Sequence, residues 1–485
     1  MRASSSRWAD FVRVFAAVGA LASSGCGGTA PPAEIELVVS DNLHPPGSAF
    51  SGNQAEYAAA FAAKEVCSRV FLAKEDPEPT LNNELRFIAL LAPGFSIDAA
   101  TVNVDEVESR VSVSLPDEPT REAVYAGSQG CIIVPTFVDG IQFEPQEFSW
   151  EGPDDDAPWP LGETVVPGES TIDRDALQNA IDVHMERADI RAIAVVHQGE
   201  LVGEAYAPGY GMRVPQRAWS TGKSVASTFV GRLVDRGFLE LDEPVPVAAW
   251  ANDTRSSITL RDMVRMSSGL AQSRVGGLDR LTPESEHDFV YFDGFDTLAD
   301  AVAVPAGDPP GETWAYRNVN VLVATALARL AVERNGGDAY ASIQREVFEP
   351  LGMRSSTVET DAYGNFITSG QFFTTARDLA RLGLVFEQGG VFGGELVLSE
   401  EWVSFATAPS DTFDGYGAFW WRNVNGNIPG APRDAYYASG AFGQFSIVVP
   451  SRELVIAQLA MDPLNDFDNF SAFVADVVSV VDGNP

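Results

Sequence analysis

Strand signals at both ends of a long helical stretch constrain this fold more than any other feature of the sequence. Early on, Ala192-Ile193-Ala194-Val195-Val196 turns at Gln198-Gly199 into Leu201-Val202-Gly203-Glu204-Ala205-Tyr206, the pattern of a hairpin. Far downstream a strand from Tyr416 to Trp421 precedes Phe445–Val449, a turn at Pro450-Ser451-Arg452-Glu453, and Leu454–Leu459. Between them the apolar spacing is helical, as in Ser220–Arg236, Leu260–Met266 and Val321–Leu330. A last helix over Asn469–Val481 carries Phe473, Val474, Val477, Val478 and Val481. The two sets of strands read as one antiparallel sheet built from both ends of the domain. The expected class is therefore mixed α/β of the α+β kind, with flanking helices and a mostly helical second lobe.

The 485 residues allow one large domain and a smaller one, and a hydrophobic fraction of 45% is that of a globular chain. A net charge of −36 excludes a nucleic-acid partner, whose phosphates would be repelled. Residues 1–26 read as an export signal: Arg2, Arg7 and Arg13, then the apolar run Val14–Ala22, then small residues ending at Cys26. That ending resembles the lipobox of bacterial lipoproteins, which implies Cys26 as a lipidated first residue; plain secretion is the alternative. Either way membrane contact is expected only through that anchor, since no later segment approaches about 18 apolar residues. A tether follows over 27–50, a small α+β region over 51–150, a linker over 151–170 and the main domain over 171–485. Within the small region Gln54–Lys64 reads as a helix, and Phe87–Leu91 and Val111–Leu115 as strands. An oxidising compartment would join the remaining cysteines as a Cys67–Cys131 disulfide, two buried thiols being the alternative. Neither cysteine has a ligand at metal spacing and His44, His184, His197 and His287 are scattered, so neither a metal nor a cofactor is expected.

The helix after the linker is expected to be capped by Ser170 or Thr171, with Leu177, Ile181 and His184 to Met185 on one face. His197 reads as a surface residue beside its hairpin turn. Residues 271–312 show little regular pattern and read as a binding loop or a surface insertion.

The chemistry centres on Ser220-Thr221-Gly222-Lys223. The chain has 29 arginines and only three lysines, Lys64, Lys74 and Lys223. A residue needed merely for positive charge would here be arginine. Lysine differs in being able to lose its proton on burial, whereas guanidinium stays charged. Positions i and i+3 share a helix face, so Lys223 Nζ can reach Ser220 Oγ and take its proton. The spacing alone is weak: 37 serines and three lysines in 485 residues supply roughly 0.2 such pairs by chance.

Two companions strengthen it. Tyr316-Arg317-Asn318 offers a phenol to shuttle a proton and an amide to bind substrate; a second copy, Tyr363-Gly364-Asn365, reads as a structural turn. Ala438-Ser439-Gly440-Ala441-Phe442-Gly443-Gln444 offers small residues and backbone N–H groups at a strand edge. Serine–x–x–lysine, Tyr–x–Asn and a late x–x–Gly strand, in that order, resemble the serine hydrolases related to class C β-lactamases and penicillin-binding proteins. Gly237–Val245, Met266–Leu270, Pro350–Met353 and Thr374–Arg381 are similar to that family too, so the resemblance covers about 170–485. It implies a β-lactamase/transpeptidase-like fold, Ser220 as acyl nucleophile, Lys223 as base, Tyr316 as proton shuttle and Asn318 as substrate contact. The implied oxyanion hole is the backbone N–H groups of Ser220 and Ala441.

In β-lactamases and penicillin-binding proteins the third motif begins with a cation, where this chain has Ala438. That departure, with Gly443-Gln444, is similar to 6-aminohexanoate-dimer hydrolases and related esterases. It implies a small ester or linear amide as substrate. β-Lactamase or D-alanyl-D-alanine peptidase activity, and a catalytically silent envelope binding protein, are the alternatives. A Ser–His–acid hydrolase is disfavoured, because the chain has no Gly–x–Ser–x–Gly elbow.

Overall fold

The computed structural model describes residues 37, 54–75, 99–136, 140–166, 168, 170–187, 189–271, 290–291, 295–462 and 467–483. The expected export signal with Cys26, the tether except Leu37, the strand Phe87–Leu91 and half of the expected binding loop lie outside them.

The alanine-rich run forms helix α1 (Gln54–Cys67), whose side chains from Tyr57 to Cys67 are all buried. It packs on a four-stranded antiparallel sheet, β1 (Thr101–Asp105), β2 (Arg110–Ser114), β3 (Arg121–Tyr125) and β4 (Cys131–Val134), in that order. Alternation in β2 turns Val111 and Val113 inward. A Cys67–Cys131 disulfide joins the end of α1 to the start of β4, with Cα atoms 6.0 Å apart.

Helix α2 (Arg174–Met185) is capped not by Ser170 or Thr171 but by Asp173, whose carboxylate accepts from the N–H groups of Asp175 and Ala176. Ser170 is engaged elsewhere, its hydroxyl 2.8 Å from His197 Nδ1. That contact also corrects the reading of His197 as a surface residue: it is 7% exposed. Leu177, Ile181 and His184 face inward as expected, and Met185 packs partly buried against the same cluster. The hairpin β5 (Ile190–His197) and β6 (Glu200–Tyr206) turns through Gln198 and Gly199, both at positive φ.

The middle of the chain contains β7 (Gln216–Arg217), a 3-10 turn over Trp219–Thr221, α3 (Gly222–Asp235), α4 (Leu260–Val264), α5 (Thr297–Ala303) and α6 (Asn318–Arg334). Helix α5 shows that the stretch 271–312 is not irregular throughout; Asp296 caps it. Next come β8 (Thr357–Val358), β9 (Phe372–Thr374), α7 (Ala376–Glu387), the short pair β10 (Val391–Phe392) and β11 (Glu395–Leu396), and α8 (Glu400–Thr407). The chain closes with β12 (Trp421–Arg422), β13 (Tyr436–Gly440), β14 (Gln444–Val449), β15 (Leu454–Ala460) and α9 (Phe467–Val481). Tyr416–Trp421 is not one strand. It folds back on itself, Gly417 N donating to Trp420 O, and only Trp421 and Arg422 join the sheet.

The six-stranded antiparallel sheet runs β12-β13-β14-β15-β5-β6, so the two ends of the domain meet at β15 and β5, with Ile456 opposite Val195. One face carries α2 and α9, where Leu177, Ile181, Phe473 and Val477 cover Ile193, Val195 and Ile456. The other face carries α7 and, beyond it, the helical lobe; Ala194, Val196, Val455 and Ala457 share one buried cluster with residues of α1, α3 and α6. The site lies where that lobe meets the β13 edge.

Candidate active site

Ser220 sits in the 3-10 turn that leads into α3, and Lys223 is the second residue of that helix. Lys223 is 1% exposed, with Nζ 3.0 Å from Ser220 Oγ, 2.9 Å from Asn318 Oδ1 and 2.7 Å from the Ser369 carbonyl. Ser220 Oγ lies 3.3 Å from the same carbonyl. A neutral amine has two N–H donors and one lone pair, enough for Asn318, Ser369 and an incoming serine proton. An ammonium satisfies the same three acceptors. A proton can therefore move from Ser220 to Lys223 without stranding either group. Of the other two lysines, Lys64 is buried against Glu359 at 2.9 Å and Lys74 is exposed.

The approach of these segments leaves no room for side chains at two glycines. A Cβ on Gly222 would lie 2.4 Å from Thr368 O, so glycine here lets α3 close on the segment carrying Ser369. A Cβ on Gly440 would lie 2.2 Å from Ala218 O, so glycine there lets β13 close on the serine turn. That brings the Gly440–Ala441 backbone alongside Ser220. Two non-glycine residues sit at positive φ beside this contact, Trp219 at 50° and Phe442 at 66°. Each such conformation costs about 1–3 kcal/mol and persists only where packing imposes it. Here the two rings brace each other at 5.4 Å.

Asn318 opens α6. The preceding Arg317 donates to the carbonyls of Leu270 and Ala271, and Ala315 N donates to Met266 O. Ser268 Oγ donates to Asn320 Oδ1 at 2.7 Å. The stretch Met266–Ala271 is thus the frame that presents Tyr316 and Asn318. Tyr316 is half-buried, its ring centroid 4.7 Å from Lys223 Nζ. It lies flat on Trp421 at 5.3 Å and edge-on to Tyr416 at 6.0 Å; Trp314 and Phe413 extend this wall. Burial first, and then Tyr316, holds the Tyr416 phenol well above its ordinary pKa.

The second Tyr–x–Asn lies in a turn apart from these groups: Asn365 Nδ2 donates to Asp296 and Asp361, and Asp361 also accepts from Thr297. His184 and His197, the histidines among the described residues, bond Gln458 and Ser170, and burial lowers the pKa of both. Two features escaped the sequence reading. The Ser369 carbonyl accepts from Lys223, Ser220 and the Tyr291 hydroxyl, and a backbone carbonyl leaves no trace in residue type. The wall around Tyr316 draws on residues 413–421, whose aromatic density is visible in the sequence but of which Tyr416–Trp421 reads as a strand. Among the described residues no His, Cys, Asp and Glu cluster could hold a metal ion, and no helix is long and apolar enough to cross a membrane.

An antiparallel sheet with a helical lobe, and a serine meeting a buried lysine at their junction, define a serine hydrolase of the β-lactamase and penicillin-binding-protein superfamily. The chain belongs to the Beta-lactamase family, whose model matches residues 177–476. A 6-aminohexanoate-dimer hydrolase from Paenarthrobacter ureafaciens is 26% identical over 330 residues, 62% of this chain and 80% of that protein. Among solved structures, a candidate 6-aminohexanoate-dimer hydrolase from Bacillus anthracis superposes with a TM-score of 0.53 at 16% identity, covering 86% of this chain and 98% of its own. A candidate β-lactamase from Bacteroides dorei gives 0.52 at 21% identity, covering 64% and 100%. A family VIII carboxylesterase gives 0.52 at 15% identity, covering 65% and 99%. At these identities the superpositions speak for the fold alone.

Proposed function

We propose that this protein hydrolyses a small ester or linear amide through an acyl-enzyme on Ser220. Ser220 Oγ attacks the acyl carbon as its proton passes to Lys223 Nζ, and the carbonyl oxygen becomes an oxyanion held by the N–H groups of Ser220 and Ala441. Collapse breaks the bond to the leaving group, which takes the proton through the Tyr316 phenol. Water then attacks the acyl-enzyme, giving up a proton along the same route, and Ser220 is released with the free acid. Asn318 orients Lys223 through its carbonyl and is the proposed substrate contact. The contact of buried Lys223 with Ser220 Oγ carries this reading.

Ala438 supports the choice of substrate: it is a buried alanine on β13, so the third motif brings no cation to hold a carboxylate. The related 6-aminohexanoate-dimer hydrolase points the same way, toward a linear amide. A panel of short-chain p-nitrophenyl esters, linear amides and nitrocefin tests this. Turnover of the first two with negligible nitrocefin hydrolysis is expected, and rapid nitrocefin hydrolysis would sink it. A fluorophosphonate should label wild type and not Ser220→Ala; an unlabelled wild type favours the silent binding protein. The same proposal places the enzyme outside the cytoplasm, anchored by lipid at Cys26, a location that the Cys67–Cys131 disulfide favours. Mass analysis of the mature N-terminus tests the anchor, and an unmodified residue 26 would remove it.

A further inference from the structure

The disulfide-bonded region, α1 with β1–β4, supplies no group to the proposed chemistry, yet it touches the segment that carries Ser220. Glu65 Oε2 lies 2.9 Å from Arg217 Nε, both side chains buried. The two are not aligned for a hydrogen bond, so the attraction is Coulombic. The Arg217 guanidinium lies 4.9 Å from the ring centres of both Phe61 and Trp219, and 5.3 Å from that of Phe373. Phe61 in turn stacks on Trp219 at 6.0 Å with the planes 9° apart. Trp219 precedes Ser220 and is held at a φ of 50°. Were it to relax, the Trp219–Ser220 peptide would swing, and with it the N–H that belongs to Ser220.

Helix α1 is not free to yield. Lys64 Nζ pairs with Glu359 Oε2 and donates to Cys131 O, while Ser68 Oγ and Cys131 N both donate to Glu359 Oε1. Glu359 follows β8, β8 pairs with β9, and β9 pairs with β7 at Arg217 opposite Phe373. The contacts form a closed ring: from Glu65 and Phe61 along α1 to the disulfide, to Glu359, through three short strands, and back to Arg217.

We propose that α1 is a positioning part of the catalytic site: Phe61 and Glu65 hold Trp219 and Arg217, and so fix the backbone of Ser220 in the orientation that acylation needs. The inference rests on the serine hydrolase reading above. It makes Phe61 and Glu65 positioning residues, since neither touches Ser220 itself.

The test uses the full-length, oxidised protein and follows the rate of fluorophosphonate labelling of Ser220, with kcat and KM on an ester. Phe61→Leu and Glu65→Gln are expected to label about 10- to 100-fold more slowly, at temperatures well below their melting points, with KM little changed. Val113→Ala serves as reference. It opens a cavity in the same region without removing a partner of Arg217 or Trp219, and is expected to label at the wild-type rate. If Glu65→Gln leaves Arg217 uncompensated and does not fold, Phe61→Leu decides. Folded variants that label as fast as wild type overturn the proposal, and so does a Val113→Ala that slows as much as they do. A wild type that is never labelled overturns the hydrolase reading itself, and this inference with it.

Discussion

The two halves of the candidate site are built on opposite principles. On one side Lys223, Asn318, Ser220 and the Ser369 carbonyl are joined by hydrogen bonds of 2.7 to 3.3 Å, each with a required direction. On the other, Trp314, Tyr316, Phe413, Tyr416 and Trp421 meet ring to ring at 4.6 to 6.5 Å, contacts that have no required direction. Directional bonds place one proton between two atoms and tolerate little change. Packed rings set a volume and a polarity, and exchange one apolar group for another at modest cost. On the function proposed above, the first side suits a fixed reaction, and the rings around the Tyr316 shuttle suit an adjustable acyl or leaving group.

The largest break of this contrast is Lys223→Arg. It keeps the charge and the reach but offers no lone pair, so kcat should fall by at least about 100-fold while the protein stays folded. Substantial turnover would show that Lys223 is not the base. Next is Gly440→Ala, whose new methyl group must push β13 off Ala218 O and carry the Ala441 N–H with it. A fall in kcat of about 10- to 100-fold is expected, because a misplacement of about 1 Å in a site can cost about 100-fold; an unchanged kcat would remove Ala441 from the site. On the aromatic side Trp421→Leu should act on selectivity, lowering kcat/KM for bulky apolar esters by about 10-fold and for acetyl esters hardly at all. Equal losses on both would assign the wall to chemistry instead of fit. The smallest effect is expected from Tyr416→Phe. Its phenol is held well above the ordinary tyrosine pKa and stays neutral through pH 10, so the variant should keep the wild-type pH–rate profile from pH 7 to about 10. A lost alkaline limb would show that Tyr416 titrates after all.

The same contrast explains which parts of the fold and site are legible in the sequence. Ser220, Lys223, Tyr316 and Asn318 carry their chemistry in residue type, and their order along the chain was enough to bring them together. The sheet was legible because β5, β6, β14 and β15 are long, apolar and bounded by turn residues. Ser369 was not, since it contributes a carbonyl that any residue would supply. Nor were the contacts of Phe61 with Trp219, or of Trp314 with Phe413, in which an aromatic residue at one point meets another far along the chain. Two local misreadings have local causes. Asp173 outcompeted Ser170 as a cap by standing directly before the first helical residue, and Tyr416–Trp421 alternates like a strand but contains Gly417 and a residue at positive φ, Phe419.

The scarcity of lysine has a practical side. With Lys64 and Lys223 buried, Lys74 is the chain's one exposed lysine. A succinimidyl ester applied under native conditions should therefore couple a dye or a resin at Lys74, besides the terminal amine, and leave Lys223 untouched. A molecule coupled through Lys74 would be held just past α1, within the disulfide-bonded region, with the Lys223 amine unmodified.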